Sequence, residues 1–251
     1  MCATCGCGED TGTRVTVPHE HEHEHEHEHE HDHTHEHPHE TITLEQKVLA
    51  KNDLTAERNR EWLASREVLA LNVMSSPGSG KTTLLERTIT DIGGERRVSV
   101  VEGDQETLLD ANRIKATGCA VVQVNTGAGC HLDAEMMRDA LAALDPVPNS
   151  LLFIENVGNL VCPALFDLGE NGRVVVISVT EGTDKPLKYP HMFAAANLVI
   201  VNKADLLPYV DFDVDLFAKY ARSVNPGLEM ITLSATTGQG IQRWYEWIST
   251  R

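Results

Sequence analysis

Ser75-Ser76-Pro77-Gly78-Ser79-Gly80-Lys81-Thr82-Thr83 has the spacing of a phosphate-binding loop, G-x-x-x-x-G-K-[ST], with Ser75 where the leading glycine would stand. In such a loop Gly78 and Gly80, with Ser79 between them, let backbone N–H groups turn inward on phosphate oxygens. Lys81 reaches the β- and γ-phosphates, the Thr82 hydroxyl can ligate Mg²⁺, and Thr83 follows in a helix whose N-terminus faces the anion. A Gly/Ser-rich turn could share this composition, but the apolar run before it and the helical stretch after it favour the phosphate site. Two carboxylates stand at the ends of later apolar runs. Asp104, in Glu102-Gly103-Asp104-Gln105, is placed to reach Mg²⁺ through water or to orient an attacking water. Glu155, expected at the end of the fourth strand with Gly158 three residues on, occupies the place of an acidic Mg²⁺-site residue, although a carboxylate there is often only a helix cap. Lys81, Asp104 and Glu155 are the candidate catalytic set, and Thr82, Asp104 and Glu155 the candidate Mg²⁺ ligands.

Asn202-Lys203-Ala204-Asp205 ends a buried apolar run, and Ser234-Ala235-Thr236 ends the last one. Together they resemble the guanine-recognition elements of GTPases. Asp205 would accept from the guanine N1–H and exocyclic amine, a donor pair that adenine cannot present. Lys203 would lie along the base plane, while Asn202 and the Ser234-Ala235 backbone fix the loop and the O6 edge. Alone, Asn-Lys-x-Asp could be a polar loop; in order after a phosphate loop it makes GTP, with GDP as product, the expected nucleotide.

A second chemistry is written in soft ligands. Cys2-Ala3-Thr4-Cys5-Gly6-Cys7-Gly8 sets three thiols beside the α-amino group, a donor set that suits Ni²⁺ and also fits Zn²⁺. Eleven histidines between His19 and His39 alternate with acids and form a comb of weak imidazole sites, a reservoir for Ni²⁺, Cu²⁺ or Zn²⁺ rather than one defined site. A purification tag would also be His-rich, but it would not alternate with Glu behind a Cys motif. Within the later sequence, Gly129-Cys130-His131 is expected to open a helix, and Cys162-Pro163 follows Glu155 by seven residues. Cys130, His131 and Cys162 are therefore candidates for a further metal site, against the plainer reading of buried, capping residues. Cys119, inside an apolar stretch, reads as core.

These residues need a scaffold. Strand candidates are Leu69–Ser75, Val98–Glu102, Ala120–Val124, Leu151–Glu155, Val174–Val179, Leu198–Val201 and Met230–Leu233, apolar on both faces and mostly followed by helical stretches, as in a buried parallel sheet. The expected fold is a three-layer α/β domain over 67–251. Before it, Thr43 with Gln46 reads as a capping box opening one helix, and a second is expected from about Thr55 to Ser65, so that residues 41–66 are helices packed on the domain. Residues 1–40 have no large apolar residue after Pro18 and should be disordered without metal.

Composition narrows the classes. Of the formal charge of −17, nine acids unopposed by Lys or Arg lie in residues 19–40, which leaves −8 for everything else. A mildly acidic domain argues against nucleic acid as partner. Six cysteines, three of them at the start, do not form a disulfide framework, and the thiols fit a reducing compartment. The sequence shows no secretory signal pattern and no apolar run long enough for a bilayer, so the expected location is the cytoplasm, with no membrane partner.

Taken together, the chain closely resembles the HypB family of hydrogenase nickel-incorporation proteins, GTPases of the SIMIBI class. The carriers are the Cys-rich start, Ser75–Thr82, Glu102-Gly103-Asp104-Gln105, Gly129-Cys130-His131-Leu132-Asp133-Ala134, Glu155 through Pro163, Glu181 through Pro190, and Asn202-Lys203-Ala204-Asp205. The resemblance implies a slow Mg²⁺-dependent GTPase that couples hydrolysis to nickel transfer in [NiFe]-hydrogenase maturation. It also implies a tight nickel site at Cys2, Cys5 and Cys7, a nickel or zinc site at Cys130, His131 and Cys162, and a homodimer linked to nucleotide and metal. The implied partners are the companion nickel protein HypA and the hydrogenase large-subunit precursor. Some members carry a further His where this chain has Glu135. A urease accessory GTPase would show Cys-Pro-His, whereas here Ala164 follows Cys162-Pro163. A metal-storage protein would not need intact nucleotide elements, and a cobalamin-enzyme GTPase chaperone would explain neither the thiols nor the histidines.

Overall fold

Strand β1 (Leu69–Ser75) is buried along its whole length and lies at the centre of a sheet of seven parallel strands, in the order β3-β2-β4-β1-β5-β6-β7. The others are β2 (Val98–Asp104), β3 (Ala120–Asn125), β4 (Leu151–Gly158), β5 (Gly172–Ser178), β6 (Leu198–Asn202) and β7 (Glu229–Thr232). This computed structural model describes residues 38–104, 109–127 and 129–251, with side chains from Gln46 onward. The Cys cluster and nearly all of the His tract lie outside the described residues. Residues 49–251 pack as one unit, and every contact below lies within it.

Alternation along the strands sorts side chains to two faces. Leu69, Leu71 and Val73 point with Phe153, Val174, Val176 and Ile200 to a face covered by α2 (Lys81–Ile92), α3 (Leu109–Ala116) and α8 (Ile241–Ser249). There Trp244 is fully buried, and its indole N–H donates to the Thr88 hydroxyl at 2.9 Å. The opposite face carries α1 (Pro38–Ser65) and α4 (Ala134–Leu144) over Ala70, Val101, Leu152 and Ile154. Beside them, α6 (Pro190–Ala195) and α7 (Val214–Val224) cover Val175, Ile177, Val199 and Val201, while the short α5 (Lys185–Lys188) leads into α6. The three-layer parallel α/β expectation therefore holds. No described helix is long and apolar enough to cross a membrane.

The structure departs from the sequence reading at three elements. A single helix runs from Pro38 to Ser65, so Thr43 and Gln46 lie inside it and Pro38, His39 and Glu40 belong to it. Pro at the first helical position is already preset for the helix, and the polar Asn52-Asp53-Leu54-Thr55 step does not break it because Asn52 makes its side-chain hydrogen bonds to other elements. Strand β4 continues past Glu155 to Gly158, which pairs with Ser75 after a register shift. A Cβ at Gly158 would stand 3.3 Å from Pro77 Cα, a tight contact that glycine avoids where the strand passes the phosphate loop. Finally, Cys130 and His131 precede their helix: α4 starts at Ala134, capped by the Asp133 carboxylate, which accepts from the Met136 N–H at 2.8 Å.

Candidate nucleotide and metal sites

The phosphate loop leaves the C-terminal end of β1 and opens α2, at the carboxyl ends of the parallel strands where α/β proteins bind ligands. Gly78 and Gly80 both adopt left-handed backbone, with φ of 73° and 92°. A Cβ on Gly80 would sit 2.5 Å from the Asn202 amide nitrogen. The cleft in front of the loop measures about 480 Å³, and Glu102, Asp104, Asp110, Arg113 and Lys203 share its walls.

Asn202 joins three loops. Its Nδ2 donates to the Ser79 carbonyl at 2.9 Å, and its Oδ1 accepts from the Ala235 N–H at 3.1 Å. Lys203, itself at φ 62°, donates from Nζ to the Gly78 carbonyl at 2.7 Å. Phosphate loop, Asn-Lys-Ala-Asp step and Ser234-Ala235 turn are thus fixed to one another. Asp205 lies two residues after Lys203, in the first turn of a 3-10 segment, Ala204–Tyr209.

Glu155 is 1% exposed and its Oε1 receives two bonds of 2.6 Å, from Lys81 Nζ and from the Thr82 hydroxyl. Its second oxygen has no hydrogen-bond partner. Glu102 is directly opposite Glu155 across β2 and β4, and it too is buried with one oxygen unpartnered. Burial, and then the charges of Glu155 and Asp104, push the Glu102 carboxyl up to about 8. Asp104, the last residue of β2, is half-buried. A threonine hydroxyl, buried carboxylate oxygens without partners and a lysine together fit a divalent cation beside a polyphosphate.

The second constellation forms from two loops. The Cys130 thiol donates to the Cys162 sulfur at 2.7 Å, and His131 Nδ1 lies 3.7 Å from the Cys130 sulfur. One donor atom from each of Cys130, His131 and Cys162 falls within 4.8 Å of the other two, a spacing able to hold one metal ion. Both cysteines are buried, and the His131 ring stacks on Phe166 at 3.8 Å with the planes 19° apart. Burial lowers the His131 pKa, with Asp133 opposing, which favours the neutral imidazole that binds metals. Glu135 points elsewhere, in an ion pair with Lys51 at 3.3 Å. Cys119 lies outside this group. It is half-buried next to β3, and burial pushes its thiol up to about 11.

The profile of the CobW/HypB/UreG nucleotide-binding domain matches residues 69–232. The hydrogenase maturation factor HypB of Escherichia coli K12 is 57% identical over 210 residues, covering 84% of this chain and 72% of that protein. The chain belongs to the HypB family. A crystal structure of HypB from Archaeoglobus fulgidus superposes with a TM-score of 0.75 at 41% identity, covering 80% of this chain and 98% of that one. The crystal structure of HypB from Helicobacter pylori in complex with nickel gives 0.76 at 37%, covering 80% and 94%.

Within this HypB-family fold, the sequence reading missed three residues that shape the sites. Glu102 ends an apolar stretch two residues before Asp104, which is the signal that could have found it. Glu181 accepts from the Ser76 hydroxyl at 2.5 Å and from the Ser178 N–H at 2.9 Å, so it braces the start of the phosphate loop. Arg113 donates to the Thr83 hydroxyl at 3.0 Å while paired with Glu86 and Asp110. Glu181 stands in a motif that carries the family resemblance, but its bond to Ser76, like that of Arg113 to Thr83, joins residues distant in the chain and so leaves no local signal of the contact.

Proposed function

We propose that this chain is a Mg²⁺-dependent GTPase that carries nickel for [NiFe]-hydrogenase maturation and uses hydrolysis to release it. GTP is held by Gly78–Thr83, with the base read by Asp205 and Asn202, Lys203, Ser234 and Ala235 shaping its pocket. Thr82, Asp104 and Glu155 would hold Mg²⁺, which would supply neutralisation of the phosphate charge. On binding, Lys81 exchanges the Glu155 carboxylate for phosphate oxygens, and Asp104 orients the water in line with the γ-phosphorus. The nickel cargo, or zinc, takes Cys130, His131 and Cys162, with Cys2, Cys5 and Cys7 as a separate tight site. Two copies associate in the GTP state in the cytoplasm, and HypA and the hydrogenase large-subunit precursor are the exchange partners.

The observation that carries this reading is the short span between the two sites: Glu155 on β4 contacts Lys81 and Thr82, and seven residues later, past the end of the strand, Cys162 joins the thiol–imidazole cluster. Between them, the buried Asn156 amide accepts from the Leu132 N–H at 3.3 Å, next to His131. A shift of Glu155 on nucleotide binding is therefore passed to both metal-bearing loops. The test is Ni²⁺ affinity by chelator competition in a Cys2→Ala, Cys5→Ala, Cys7→Ala variant, with GDP and with a non-hydrolysable GTP analogue. The expected ratio is several-fold to about a hundredfold. Equal affinities, or a difference that persists after Cys162→Ala, would refute the coupling.

A further inference from the structure

Two asparagines inside a long helix are an unusual use of a residue that competes with the helix backbone. Asn52 and Asn59, two turns apart on α1, are 7% and 3% exposed, and all their bonds run to the two loops around the thiol–imidazole cluster. Asn52 Oδ1 accepts from the Ala134 N–H at 2.9 Å, and Asn59 Nδ2 donates to the Ala134 carbonyl at 2.9 Å. Ala134 is thereby gripped at both ends, three residues after His131. On the other loop, Asn52 Nδ2 donates to the Asp167 carbonyl at 2.8 Å and Asn59 Nδ2 to the Leu168 carbonyl at 3.1 Å.

The second loop is docked further by Arg60, which pairs with Asp167 at 2.6 Å, and by Gly169, whose φ is +89° and where a Cβ would stand 2.5 Å from the Ala56 carbonyl. This loop presents Phe166, the ring stacked on His131. Neither asparagine lines the nucleotide cleft.

We propose that Asn52 and Asn59 are positioning residues for the metal centre: they hold the Cys130-His131 loop and the Cys162–Leu168 segment at the separation that keeps the three donor atoms within reach of one ion. This rests on the reading of Cys130, His131 and Cys162 as ligands. Groups that orient metal ligands typically change affinity by about 10–100-fold when removed.

The test uses the full chain with Cys2, Cys5 and Cys7 changed to Ser, so that Co²⁺–thiolate charge-transfer absorption reports the centre and the His tract gives no such band. Co²⁺ is titrated against a chelator, with GDP affinity measured in parallel. Asn59→Ala should weaken Co²⁺ by about 10–100-fold and alter its ligand-field bands, with GDP affinity within twofold of the parent. Asn52→Asp keeps the acceptor for Ala134 but sets a carboxylate oxygen against the Asp167 carbonyl where the amide donated, so it pushes that loop away. It should give a shift of the same kind, and it decides the matter if Asn59→Ala does not fold. Unchanged Co²⁺ affinity and spectrum in a folded variant, or a parallel loss of GDP binding, would overturn the proposal. If Cys162→Ser leaves the parent's thiolate band intact, the ligand reading itself falls and the positioning role with it.

Discussion

Replacing Glu102 by Gln probes the electrostatics beneath the phosphate loop in the nucleotide-free chain. The side chain is 2% exposed, faces Glu155 across the sheet, and its pKa is raised from 4.5 to about 8. Folding therefore favours the protonated form. The stabilisation is fully present below pH 4.5, where the unfolded chain is also protonated, and it is lost as pH rises through about 8. In that window the unfolded chain has released its proton and the native chain has not, so each pH unit costs about 1.4 kcal/mol. From pH 5 to pH 7 this amounts to about 2–3 kcal/mol. Glutamine has the same shape and no proton to lose, so Glu102→Gln should gain on the parent by that amount over the interval, while titrations elsewhere cancel in the difference. Urea unfolding in the presence of a chelator, followed through Trp62, Trp244 and Trp247 fluorescence, measures it. A stability difference between variant and parent that is flat from pH 5 to pH 7 would refute the claim that Glu102 is held protonated beside Glu155.

Gly80→Ala meets both a left-handed backbone and the Asn202 amide 2.5 Å away, and should reduce fluorescent-GDP affinity at least tenfold, about 1.4 kcal/mol; Gly78→Ala, with nothing within 4 Å of its Cβ, should be milder, and equal effects would contradict the proposed Asn202 clamp. Asp205→Asn should weaken GTP at least tenfold and improve xanthosine triphosphate, since each unpaired guanine donor costs about 1–3 kcal/mol, and unchanged GTP affinity in a competition assay would sink the assignment of the base pocket.

The sheet was legible because its strands are apolar on both faces: all seven were located to within a few residues, and Leu69–Ser75 to the residue. The phosphate loop was legible because its glycines, lysine and threonine stand at a fixed spacing within one short run of sequence. Two kinds of feature were not. Helix α1 reads as two, one opened at Thr43 and a second from about Thr55, and only the folded chain shows Asn52 between them inside one helix, its amide bonded to Ala134 and Asp167. The partners of Asn202 and of Glu181 are equally remote, over a hundred residues away in the bonds to Ser79 and Ser76, and no local window contains both ends. The meeting of Cys130 with Cys162 was proposed from residue chemistry, but its geometry needed the turn after β4.

The central position of β1 also bears on the order in which the molecule can be assembled. Its neighbours are β4, paired from Leu69 to Leu151, and β5, paired from Leu71 to Gly172, so the strand that carries the phosphate loop waits about a hundred residues for both its partners. At a synthesis rate of about 5–20 residues per second, that delay is roughly 5–20 s. Cys130 emerges in the interval, and Cys162 follows it only after β4 has been made. The donor atoms of Cys130, His131 and Cys162 are thus gathered late, by the pairing of β4 with β1 and not by any contact local to either cysteine.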